Sequence, residues 1–168
     1  MSKNLAYLPS VVGPGTGSES VAYYYVYGYD GTSVSTAKAT TNYSTYGALY
    51  NWTAASTACP EGWHLPTDVE QYTLENYYAT GTCDAERASA WDCDPAGTSL
   101  KSGVFNALMT GYRTAAGSFG NLSSLTIFWS STPSGSNAWR RYLYASHSTV
   151  NRNASSKALG CSVRCLKD

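Results

Sequence analysis

The sequence predicts a mixed α+β domain, and three observations carry that reading: an aromatic, β-branched run near the start, one strong helix start before the middle, and a series of short strand-and-turn segments after Phe105. At 168 residues the chain fits one domain able to bury a continuous core. Residues 1–20 are rich in Gly, Pro and Ser and read as an irregular N-terminal arm, leaving 21–168 as the domain. The run VAYYYVYGY over 21–29 predicts a strand, closed by the turn pair Asp30-Gly31. The Ser/Thr-rich stretch 32–45 reads as a loop, and 46–58 has apolar spacing compatible with a short helix.

The clearest helix begins at Thr67. With Glu70 three residues on, Thr67 forms a capping box in which each side chain bonds the other's backbone N–H, and Asp68 and Glu70 suit the positive end of the helix dipole. Val69, Thr73 and Tyr77 then share a face, as does Tyr72. A polar loop follows, with Cys83 and Cys93 expected to pinch it. GYR, a Gly-rich bend over 117–120, TIFWSST, NAWRRYLYASH, STVNRN and GCSVRCLKD complete the chain.

Composition narrows function. Charged residues make up 13%, about half the ~25% usual in soluble proteins, while fifteen Tyr and five Trp supply an antibody-like contact palette. Ten of the eleven acidic residues lie between Glu19 and Asp94, and eight of the eleven basic residues follow in the stretch free of acids. The C-terminal half therefore offers no carboxylate pair for acid/base work and no calcium cage. No apolar run of 18 residues exists, and the start lacks the pattern of a signal peptide. The five cysteines have no CxxC spacing, so disulfides with one thiol left over are expected, and no metal or cofactor.

GWHLPT, GYR, WSST, NAW, RYL and the closing SVRC stand in an order that resembles the Fibrobacter succinogenes major paralogous domain, over about residues 46–168. The resemblance implies a C-type lectin-like fold: a small twisted antiparallel sheet, two helices and long ordered loops. On it, Trp63, Trp129 and Trp139 are core anchors of roughly 200 Å² each. A Cys59–Cys165 bridge would tie the first motif to the last strand and contribute ~4 kcal/mol.

The same WSST to SVRC ending is similar to that of variable proteins of diversity-generating retroelements, in which adenines of a template are randomised and asparagine codons are favoured targets. That likeness implies a variable region over about 121–162. Arg140, Tyr144, Ala145, His147, Thr149, Ala154, Ser155, Ala158, Leu159 and Cys161 are all reachable from an asparagine codon by changing adenines. Leu122, Ser124, Leu125 and Ile127 form a second candidate cluster, with a plain strand and turn as its alternative. Cys161 has the alternative of a small buried hydrophobe. The implied function is hypervariable binding of a macromolecular or glycan ligand, such as a surface receptor, with Tyr144 and Arg140 as anchors, on a virion, on a cell or outside one. An undiversified surface adhesion or structural module of the same family is the alternative.

Other chemistries are weaker. Cys161 and Cys165 have no His or carboxylate beside them, so catalysis is not expected, and His64 reads as a packed frame residue. Arg140, Arg141, Arg152, Lys157 and Arg164 lie among aromatics, but strand alternation separates Arg140 from Arg141 and the pI is near 6.7, so no nucleic-acid partner is expected. Asp84, Glu86, Asp92 and Asp94 read as a solvated acidic loop before a cation site.

Overall fold

Hydrogen-bonding side chains start four of the helices, and buried apolar or aromatic pairs make two of the four two-residue strands. The computed structural model describes all 168 residues. In chain order they form β1 (Tyr24–Tyr25), α1 (Val34–Lys38), α2 (Thr41–Tyr46), β2 (Leu49–Tyr50), α3 (Trp52–Ala55), β3 (Trp63–His64), α4 (Asp68–Tyr78) and β4 (Ala90–Asp92). There follow α5 (Ala96–Leu100), β5 (Thr110–Arg113), β6 (Phe119–Leu122), β7 (Leu125–Ser134), β8 (Asn137–Tyr144), β9 (Val150–Ser156) and β10 (Leu166–Lys167). The fold class is α+β. A six-stranded sheet in the order β4-β9-β8-β7-β5-β6 dominates, antiparallel except for one parallel contact between β5 and β7.

Several local expectations need correction. The run 21–29 is a strand only at β1, because Gly28 at φ 76° and a Tyr29 N–H bond to the Val26 carbonyl turn the chain. The 32–45 stretch is two short helices, capped by Ser33 and Thr40. Residues 46–58 split into β2 and an α3 capped by Asn51. Residues 1–20 carry no helix or strand, yet they are not an arm: Leu5, Leu8 and Val11 are buried, and Leu5 bonds both Val163 and Ala48 through its backbone. Three apolar side chains in a polar stretch suffice to fold it onto the core.

The six-stranded sheet separates two cores. One face, carrying Leu125, Ile127, Trp129 and Ala138, packs on the N-terminal segments, with Trp129 Nε1 donating to the Tyr50 carbonyl at 2.9 Å. The other, carrying Phe128, Leu143 and Val150, packs on α4 and α5. Trp129 is fully buried, as expected of an anchor, whereas Trp63 and Trp139 are half-buried. Cys59–Cys165 and Cys83–Cys93 are both disulfides.

The capping box of α4 forms, with Thr67 N–H donating to Glu70 at 2.8 Å. The face holding Val69 and Tyr77 is turned to solvent, however, and the residues that α4 buries are Asp68 and Glu75. Arg152 of β9 grips Asp68 with Nε and Nη2, the latter at 2.8 Å, and lies 3.5 Å over the Trp139 ring. Arg141 of β8 bonds Asp68 at 2.5 Å and also Glu75, whose other oxygen takes Arg87. Burial pushes the Asp68 carboxyl up, but the two guanidiniums more than offset this and hold it below its ordinary range. Five buried charges thus join a helix, two strands and a loop. Removing one member leaves its partners charged and dry. Glu75→Gln is therefore expected to lower unfolding free energy by about 3–5 kcal/mol, read by urea denaturation; a loss under about 1 kcal/mol would show that water reaches this cluster.

Candidate recognition face

Alternation along β8 puts Arg140, Tyr142 and Tyr144 on the sheet face opposite Arg141. Register extends that row sideways: Tyr142 pairs with Asn151 of β9, which pairs with Trp91 of β4. Trp91, 38% exposed, lies parallel to the exposed His147 ring at 4.4 Å and 5.5 Å from Tyr144. Tyr144 in turn sits 5.2 Å from His147 and is stacked on Tyr142 at 6.4 Å. The result is a run of partly exposed rings drawn from β4, β8 and the turn that follows β8.

The hairpin that bears these rings is pinned from behind. Lys101, just past α5, donates its ammonium to the carbonyls of Tyr144, Ala145 and His147 at 2.6–2.9 Å. A Cβ on Gly97 would lie 2.3 Å from the Thr149 carbonyl oxygen, so only glycine lets α5 approach this closely. Ala145 N–H donates to Ser124 at 2.9 Å, which brings the 122–124 turn to the same end. Such anchoring limits the ordering cost of binding.

The structure divides the positions singled out from sequence. Ser124, Tyr144, Ala145 and His147 come together and are exposed or half-exposed. Leu122, Thr149, Ser155 and Ala158 are half-exposed nearby or further along, and Ala154 shares the reverse face with Trp139 and Arg152. Leu125, Ile127, Arg140 and Leu159 are buried, as is Cys161, and are not displayed at the surface. Leu125 and Ile127 fill the β7 side of the main core, and Leu159 and Cys161 belong to the same cluster. Arg140 lies under the Tyr142 ring at 3.9 Å. His64 is half-exposed, not packed, and its ring bonds Asp168 at 2.5 Å and Glu70 at 3.1 Å. Sequence reasoning missed Trp91, placed in a polar loop, and Lys101. A lone Trp amid polar residues next to Cys93 was the available signal.

A model of the family described as the Fibrobacter succinogenes major domain matches residues 1–167. The chain belongs to that family. Neither a curated protein nor a solved structure matches the chain. The match takes in the first forty-five residues as well as the motifs, in keeping with the core positions of Leu5, Leu8 and Val11.

No helix of this Fibrobacter succinogenes major domain is long and apolar enough to cross a membrane. Glu75, Cys83 and Cys93 lie close together, but the two sulfurs are bonded to each other and both Glu75 oxygens face guanidiniums, so the set is not a metal donor set. In the acidic loop, Asp92 accepts the Asp84 N–H and Asp84 the Glu86 N–H, so those carboxylates brace the turn. A cavity of about 210 Å³ lies on the far side of the sheet, lined by Leu74, Phe105, Phe128 and Leu143 among others.

Burial pushes the Cys161 thiol up to about 12. At pH 8 the native protein is therefore expected to leave Cys161 unmodified by iodoacetamide, with labelling only on unfolding; rapid native labelling, read by mass spectrometry, would place this thiol at the surface. Lys101→Met removes three bonds to the hairpin and should expose Tyr144 to chymotrypsin at least about fivefold faster with little change in melting temperature. An unchanged cleavage rate would mean that the hairpin holds itself.

Proposed function

We propose that this Fibrobacter succinogenes major domain is a non-catalytic ligand-binding protein of C-type lectin-like architecture, which displays changeable residues on a rigid frame to a macromolecular or glycan receptor. One observation carries the reading: Trp91, Tyr144 and His147 form a partly exposed ring cluster on a hairpin locked in place by Lys101. Rigid aromatic side chains give contact area at low entropic cost, the usual make-up of a binding hot spot. The absence of carboxylates between 95 and 167 favours binding over acid/base chemistry at this face. The two disulfides are compatible with display on a virion or cell surface.

Diversification by a retroelement fits Ser124, Tyr144, Ala145, His147, Ser155 and Ala158, where substitution alters surface and not core. The sealed positions Arg140, Leu159 and Cys161 favour the second reading, an undiversified surface module of the same family. Screening against a panel of glycans and surface proteins tests the binding claim. Trp91→Ala and Tyr144→Ala are each expected to weaken the captured ligand about tenfold or more without lowering the melting temperature; binding untouched by both would move the site elsewhere. The encoding locus tests diversification: a downstream near-copy differing only at adenines supports it, and a locus without one excludes it.

A further inference from the structure

Arg140 is buried and has no acid. Arg87, Arg141 and Arg152 face carboxylates, Arg113 donates to the Pro14 and Ala158 carbonyls, and Arg164 to Asn4 and to the carbonyls of Phe105 and Asn106. Arg140 has a single partner, the Tyr142 hydroxyl at Nη2, and its Nε and Nη1 have none. A buried guanidinium with open donors is costly, and such a group calls for a counter-charge. The 95–167 stretch, which supplies its strand neighbours, contains no carboxylate.

We propose that Arg140 is the carboxylate-docking residue of the recognition face, and that the ligand is an acidic glycan whose sugar ring stacks on the adjoining aromatic side chains. The inference rests on the binding reading above. The required geometry already exists in this chain, where Arg152 takes Asp68 through its Nε and Nη2 edge. On Arg140 that same edge has an open Nε, and its Nη2 is occupied by a neutral phenol. A ligand carboxylate displacing the Tyr142 hydroxyl would bridge both atoms, exchanging a neutral bond for two charge-assisted ones. Tyr142 is half-exposed, so it can swing away into solvent. A glycan suits the face better than a peptide, because rings, Asn153 and Ser155 compose it and its aliphatic residues Leu125 and Ile127 are sealed below.

The test compares retention of a glucuronate-terminated oligosaccharide with that of its methyl ester on the full chain. The acid is expected to bind about tenfold or more tightly than the ester, and Arg140→Met should abolish that preference. Met removes an unpaired buried charge, so the variant should keep its fold. Tyr142→Phe deletes the competing hydroxyl and should strengthen acid binding severalfold without affecting the ester. Should Arg140→Met fail to fold, Tyr142→Phe decides, and an unchanged acid preference overturns the proposal. Equal retention of acid and ester overturns it too, and if that retention falls with Trp91→Ala, the binding reading survives alone. Retention of neither form, with an acidic peptide captured through Arg140 instead, overturns the glycan assignment.

Discussion

Two carboxylates on one helix and three guanidiniums beyond it set the geometry of this protein. Asp68 and Glu75 sit seven residues apart on the inner side of α4, and Arg141 and Arg152 are direct partners across β8 and β9. Two like charges side by side in a dry interior would repel, and the acids between helix and sheet remove that repulsion while fixing where the helix lies. Thr132, whose hydroxyl oxygen accepts the Asp68 N–H, and Gln71, whose amide N–H donates to the Trp129 carbonyl, attach the same helix to β7. The reverse face of the sheet is therefore held by directional contacts that tolerate little change. The opposite face at the β4, β8 and β9 end is covered only in part.

That asymmetry explains how one sheet can serve as both frame and display. Directly paired residues of adjacent strands share a face, so the register that places Arg141 over Arg152 also lines up Trp91, Asn151 and Tyr142 on the other side. Rings gather there because β4 presents Trp91 and β8 presents Tyr142 and Tyr144 to that side, and the turn after β8 adds His147. Lys101 and the close approach at Gly97 then hold the hairpin from the α5 side, where they do not compete with a ligand.

Local chemistry was legible in the sequence, and distant pairing was not. The Thr67–Glu70 capping box is complete within four residues, and it forms as read. Ser33 and Thr40 carry the same kind of signal, but in a Ser/Thr-rich stretch a capping residue among many of its type does not stand out. The partners of Asp68 lie 73 and 84 residues away, which no periodicity reveals, so from its local sequence this inward acid has only the look of a dipole complement. Adenine-derivable composition pointed to Tyr144 and His147, which are displayed, and equally to Leu159 and Arg140, which are not, since codon chemistry carries no information on burial. Trp91 contributes to the face from a strand far earlier in the chain, beyond the reach of a motif confined to the C-terminal third.

One face of the sheet must not change, and a patch on the other can. A saturation scan read by the yield of folded, protease-resistant protein tests it most directly. The division predicts that Ser124, Tyr144, Ala145, His147 and Ser155 accept most residue types, while Asp68, Glu75, Arg141, Arg152 and Trp129 accept almost none. Equal intolerance at Tyr144 and His147 and at the buried charges would contradict it.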